Sequence, residues 1–294
     1  MGAFPIFASR RIRTTPFTER VEASKLSSYT VYNHMLLPTS FASLEEDCAH
    51  LKKHVQIWDV SGQRQVQISG PDAHELVMKL SARDISHAKP GKCYYAPITD
   101  GRGMMLNDPV ILCLDKDKYW LSIADSDIAL WAAGIAEGLQ MKVDIYEPDI
   151  SPLAIQGPKS EELLISIFGE EIKKIKFFNF RIIDFEGTKQ VIARSGYSKQ
   201  DGFEIYFKVH EKYFDKVEMG EKLWDTIWEA GKKFNISPGC PNLIDRIEGG
   251  LMSYGNDFTR ENNPLECNLE KYCKDDVSHD FIGKQALTKI YNEG

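Results

Sequence analysis

The feature that most restricts this chain is a faint internal repeat. QISGPDAHELVMKL (67–80) is echoed by AIQGPKSEELLISIF (154–168). In each copy an alternating run reads as a strand, a Gly-Pro pair ends it, and apolar residues then recur at helical spacing. The echo continues into β-rich stretches (92–124 and 177–208) and then helical ones (126–139 and 218–234). Strands that come in consecutive groups, rather than alternating singly with helices, argue against a doubly wound parallel sheet. The expected fold class is α+β, with two related antiparallel-sheet-plus-helix halves. The reading divides them into 1–146, with the first helix and a β-meander, and 147–294, with no linker between.

Within the first half, Ser43 followed by Glu46 and an apolar-periodic run to His54 predicts a capped helix. Strands are expected at 56–60 and 65–69, and a helix opens at Gly70-Pro71 and runs through Leu80. The meander over 92–124 turns at 100–103 and 115–117, and a helix near 126–139 leads to a strand at 142–146.

Composition narrows the function classes. A net charge of −7, from 36 Lys+Arg against 43 Asp+Glu, argues against nucleic-acid or anionic-membrane binding, so an anionic ligand must meet a local basic pocket. Charges, Gly or Pro break every apolar run before the roughly 18 residues of a membrane helix. The N-terminus places its apolar stretch before its arginines, the reverse of a secretory signal, and Ile6 stands where myristoylation needs Ser or Thr. A cytoplasmic protein is expected. Six cysteines, without a CxxC pair, read as buried reduced thiols.

Most motif candidates fail on chemistry. No GxxxxGK[ST] is present, and Gly101-Arg102-Gly103 leads into a strand, so it is a hairpin turn and not a phosphate loop. His50 and His54 stand four apart on the first predicted helix but lack the intervening Glu and a third ligand, which fits a solvated helix face and no metal. No G-x-S-x-G elbow supports a hydrolase.

Three segments remain. In RSGYSKQDGFEIY (194–206), Glu204 shares a strand face with Tyr206, while Phe203 and Ile205 point the other way. A carboxylate beside an aromatic is what a flat heterocycle with adjacent N–H donors requires, though spacing alone fits a solvated Glu on a half-exposed strand better. In MMLNDPVIL (104–112), Asp108 precedes Pro109, where a local turn bond is the ordinary account. IDRIEGGLMSYGND (244–257) reads as a helix carrying Arg246 and Glu248 and ending at Gly255-Asn256, with Arg246 bonded inside the helix or at its cap. Aromatics crowd the β-rich segments, and a few lining a pocket would suit a cation.

Together these segments resemble the folate-binding aminomethyltransferase family, typified by the glycine cleavage system T protein. The resemblance rests on IWDVSGQRQVQISGPDA (57–73), DGRGMMLNDPVIL (100–112), AIQGP (154–158), ARSGYSKQDGFEIY (193–206), RIEGGLMSYGND (246–257), NPLECNL (263–269) and DFIGKQAL (280–287). Within the family, RRIRTTPFTERVEA (10–23), YTVYNHMLLPTSF (29–41), HLKKHVQIWDV (50–60) and SPGCPNLIDRIE (237–248) resemble the dimethylsulfoniopropionate demethylase branch more than the T protein branch. Tyr197 is the exception: it stands where that branch is expected to carry Trp and agrees with the T protein.

The resemblance implies tetrahydrofolate as methyl acceptor, a small sulfonium zwitterion as donor and no metal. It implies that Glu204 binds the pterin edge, Arg246 and Tyr206 help hold folate, and catalytic Asp108 sits near the reacting nitrogen. Tyr95, Phe178, Tyr197 and Tyr206 are the expected aromatic faces for the sulfonium. The family's C-terminal β-barrel is expected to be absent, and the oligomeric state stays open, a homodimer included. Two other activities stay open: a glycine-cleavage aminomethyltransferase, and a folate-binding relative without transferase activity.

Overall fold

The computed structural model describes residues 9, 11–210, 212–273 and 279–293. They fall into two compact units: residues 1–63 with 149–251, and residues 64–148 with 252–294. The units interleave along the chain, whereas the sequence reading drew one boundary at 146/147. Residues 1–8 and 10, on which the reading against a leader segment rests, lie outside the described residues.

The first unit is built on a six-stranded sheet ordered Phe180–Phe185, Thr188–Ala193, Gly202–Phe207, Ser151–Gln156, Val55–Asp59, Ile236–Pro238. All neighbours are antiparallel except the last pair. Its helices Ser160–Phe168 and Lys216–Gly231 supply Leu163, Leu164, Leu223, Trp224 and Ile227 to one apolar core with Ile57, Leu153, Ile155, Ile192, Phe203, Ile205 and Phe207.

The second unit holds a five-stranded antiparallel sheet ordered Asp144–Tyr146, Gln65–Ser69, Lys118–Ser122, Val110–Asp115, Lys92–Tyr95. Helices Ala73–Leu80 and Ile128–Gly138 pack on it through Leu76, Val77, Leu80, Ile128 and Ala132. Both sheets follow the same plan. In each, the strand before Gly-Pro is flanked on one side by the last of the three sheet strands that follow it, and on the other by one further strand. In the second unit that strand comes from the end of its own segment. In the first the corresponding strand is Val55–Asp59, with Ile236–Pro238 beyond it at the edge, and it is contributed before the chain enters the second unit, which is why the halves interleave.

The repeat has a backbone cause. Gly70 has φ +126° and Gly157 has φ +119°, both in the region that favours glycine. A β-carbon at Gly70 would lie 2.6 Å from the Lys142 carbonyl oxygen, and one at Gly157 would overlap the His54 carbonyl. Pro71 and Pro158 then lead into the helices, where a missing N–H costs nothing.

Ser43 caps helix Leu44–Leu51 by accepting the Glu46 amide at 3.1 Å, as expected. That helix ends at Leu51 rather than His54, yet the His54 amide still donates to the His50 carbonyl at 2.9 Å and the two imidazoles lie 5.0 Å apart. A hairpin that the sequence reading did not register, Ser28–Tyr32 with Met35–Ser40, turns on Asn33 and His34, both at positive φ. All six cysteines are buried and free. Among the described residues no helix is long and apolar enough to cross a membrane.

Candidate functional site

The two faces of the six-stranded sheet differ in chemistry. Alternation along Gly202–Phe207 sends Phe203, Ile205 and Phe207 into the apolar core and leaves Gly202, Glu204 and Tyr206 on the opposite face. Cross-strand register places Glu204 between Ala193 and Ala154, with Phe180 beyond one alanine and Trp58 beyond the other. A carboxylate between two small side chains, framed by two aromatic ones, is a row suited to a flat ring with polar edges. The next row carries Gly202, Gln156 and Gln56, and the Trp58 indole donates to Gln56 at 2.9 Å.

Glu204 is 5% exposed, which overturns the expectation of a solvated strand residue. The Ser195 hydroxyl donates to it. Among the described residues no cation pairs with it. Burial therefore pushes its carboxyl above the usual carboxylate range, with the Ser195 and Tyr206 hydroxyls pulling the other way. A buried carboxyl held only by hydroxyls is an acceptor that a ligand's N–H donors would complete. Tyr206 lies on the same face, 1% exposed, as the alternation predicted.

The turn 195–201 is tied to the helix Leu243–Glu248. Buried Asp245 accepts the Lys199 amide at 2.8 Å and the Gln200 side-chain amide at 2.9 Å. The Leu251 carbonyl accepts from both the Arg246 guanidinium (3.2 Å) and the Tyr197 hydroxyl (3.3 Å), so these two expected site residues meet on one atom. Arg246 thus closes the end of its helix, which stops at Glu248 and not at Gly255-Asn256: Gly249 caps it and Gly250 turns away at φ +65°. Phe178 is half-buried at φ +55°, donates its amide to the Arg194 carbonyl at 2.9 Å, and meets the Phe177 ring at a tilt, centroids 4.8 Å apart. A bulky residue in that region stores strain of about 1–3 kcal/mol.

The second unit presents the other expected carboxylate. Asp108 follows strand Met105–Asn107, whose last residue is locked: the Asn107 amide donates to the Ala124 carbonyl (3.1 Å) and the Ser126 hydroxyl (2.7 Å), and its oxygen accepts the Ala124 amide (3.2 Å). The Tyr95 hydroxyl donates to Asp108 at 2.9 Å, and the Tyr95 ring stands edge-on to Tyr272 at 5.3 Å. Tyr254 and Cys267 are close enough for Asp108 to disfavour their ionisation. In this aromatic recess loss of solvation raises the Asp108 carboxyl to about 7, against the Tyr95 hydrogen bond that lowers it. Asp108 is not the local turn acceptor that Asp-Pro spacing suggests.

His50 is accounted for by a 2.9 Å contact with the Asn235 carbonyl, and burial lowers its pKa. Among the described residues no group of three or more His, Cys, Asp or Glu is arranged to hold a metal. Sequence reasoning missed Ser195, Asp245 and Gln156. Their partners lie 9 to 47 positions away, so no local pattern marks them.

Known proteins resemble this chain over most of its length. Residues 17–276 match the GCVT N-terminal domain. The chain belongs to the GCVT aminomethyltransferase family. Among its relatives, the dimethylsulfoniopropionate demethylase DmdA of Ruegeria pomeroyi is 51% identical over 98% of this chain and 77% of that protein. An aminomethyltransferase of Natranaerobius thermophilus is 32% identical over 88% of this chain and 70% of that protein. The crystal structure of the glycine cleavage system aminomethyltransferase T from Bartonella henselae superposes with a TM-score of 0.81 over 96% of this chain and 75% of that one, at 20% identity. That likeness establishes the α+β fold of the family.

Proposed function

We propose that this chain is a tetrahydrofolate-dependent demethylase that moves a methyl group from the sulfonium of dimethylsulfoniopropionate to N5 of tetrahydrofolate. The products are 3-methylthiopropionate, 5-methyltetrahydrofolate and the proton that N5 releases. The observation that carries this reading is the 51% identity to the demethylase, well above the 32% to an aminomethyltransferase. The buried, cation-free Glu204 supports the folate assignment.

A sulfonium is an activated leaving group, so neither a metal nor a covalent nucleophile is needed, and the protein's work is alignment and desolvation. In this reading Glu204 accepts the N–H donors of the pterin edge, with Arg246 and Tyr206 holding folate. Tyr95, Phe178, Tyr197 and Tyr206 offer ring faces to the sulfonium. Asp108, ionised, steadies positive charge as it develops on N5. The same reading places the reaction in the cytoplasm and leaves a homodimer to be tested by sedimentation.

Incubating the protein with tetrahydrofolate and either dimethylsulfoniopropionate or an aminomethylated lipoyl carrier protein tests the proposal. 5-Methyltetrahydrofolate from the sulfonium supports it. Methylenetetrahydrofolate and ammonia from the carrier would replace it with the aminomethyltransferase reading, and folate binding without either product would mark a non-transferring relative.

A further inference from the structure

Gln156 ends strand Ser151–Gln156 on the polar sheet face and is wholly buried. Its side-chain amide donates to the carbonyls of Ser195 (3.2 Å) and Phe203 (3.4 Å), and its oxygen accepts the Ser198 hydroxyl at 2.7 Å. One side chain thus binds both ends of the turn that joins two central strands. The backbone is shaped around it: a β-carbon on either Gly196 or Gly202 would overlap the carboxamide. The two carbonyls that Gln156 grips are informative. One belongs to Ser195, whose hydroxyl donates to Glu204, and the other to Phe203, the residue before Glu204. Gln156 is therefore bonded beside both members of the Ser195–Glu204 hydrogen bond without touching Glu204 through any bond of its own.

We infer that Gln156 is a positioning residue for the folate carboxylate: it holds the Ser195 hydroxyl on Glu204, and so keeps that side chain aimed for the pterin's N–H donors. The inference rests on the assignment of folate to Glu204. A hydroxyl donating to a carboxylate favours its charged form, and a donor that swings away leaves the buried acid easier to protonate. Loss of Gln156 should then show as a change in the pH dependence of folate binding. A purely structural bracket would show only as lost stability.

The test is calorimetric titration of the full chain with tetrahydrofolate between about pH 5 and pH 8.5. Gln156→Met keeps the volume and removes all three hydrogen bonds. It should raise the folate Kd about tenfold or more at neutral pH and move the acidic limb of the binding profile to higher pH. Gly196→Ala leaves Gln156 in place but pushes a methyl into its carboxamide, and should move the limb the same way by less. Ser195→Ala should reproduce the Gln156→Met shift, and Ser195→Thr should largely restore the profile. Should Gln156→Met fail to fold, Gly196→Ala and the Ser195 pair decide. An unmoved limb and unchanged Kd in the folded variants overturn the inference. Glu204→Gln separates the two readings: if it leaves folate affinity unchanged, the folate assignment itself fails, whereas weakened binding there beside normal binding in Gln156→Met rejects only the role of Gln156.

Discussion

The two carboxyl groups singled out by the sequence are both desolvated and, among the described residues, neither forms an ion pair, yet the regions that hold them are built differently. Glu204 projects from a central strand with ladder partners on both sides, and its neighbours are hydroxyls, alanines and framing aromatics. Asp108 sits between two short strands in a recess of Tyr95, Tyr254, Tyr272 and Cys267, and its carboxyl is raised to about 7. The first arrangement fixes an acceptor in place and suits recognition. The second leaves a group whose charge changes near neutral pH, which suits a part in the chemistry.

Substitutions at the two sites should therefore differ in kind. The largest effect is expected from Asp108→Asn, a loss of about 10–10³-fold in kcat/KM for methyl transfer, because a charge that stabilises developing positive charge is removed. Sulfonium chemistry needs no proton transfer before the methyl moves, so chemistry alone gives a flat pH profile. The raised Asp108 carboxyl adds one ionisation, and kcat/KM should rise with pH and level off above about 7 in the native enzyme and stay flat in the variant. A bell-shaped profile abolished by the substitution would point instead to proton handling and an aminomethyl donor.

Glu204→Gln should weaken tetrahydrofolate binding by about 1.5–3 kcal/mol in calorimetry, since a charge-assisted contact becomes a neutral one. Unchanged affinity would erase the contrast between the two carboxylates. Tyr206→Ala or Tyr197→Ala should raise the KM of the sulfonium by severalfold to about thirtyfold, more than that of folate. A rise confined to folate would mean that these rings stack on pterin.

The smallest effect is on stability. The Asp108 carboxyl is raised in the folded state, so its protonated form stabilises the fold. That contribution is full below about pH 4 and is lost as pH rises through about 7. Asp108→Asn removes the desolvated charge and should be more stable than the native protein at pH 8.5 by on the order of 1–3 kcal/mol, a gain that disappears by pH 4. Scanning calorimetry at both pH values checks it, and equal Tm values at the higher one would show that Asp108 is better solvated than its recess implies.

Legibility in the sequence followed range along the chain. Strand Gln65–Ser69 matched its expected bounds, and the repeat was visible because two glycines at positive φ must each precede a helix. Alternation also gave the shared face of Glu204 and Tyr206. Burial of that face was not legible, because a strand pattern records which side a residue takes and not what covers it. The hairpin at Asn33-His34 escaped notice because the turn lacks glycine, and the Asn33 amide instead bonds the Gly62 carbonyl 29 residues away. The helix of Arg246 was drawn too long because its polar continuation hid a glycine pair.

The place of strand Val55–Asp59, between two strands that come much later in the chain, has a consequence for synthesis. Its antiparallel partner is Ser151–Gln156 and its parallel partner is Ile236–Pro238, so neither edge can be satisfied until the ribosome has added roughly 90 further residues. At about 5–20 residues per second, a buried, apolar ribbon of Val55, Ile57 and Trp58 waits on the order of 5–20 s with both edges open. During that interval residues 64–148 emerge and can close their own five-stranded sheet, so that sheet is expected to form before the six-stranded one, and residues 252–294 join the second unit last.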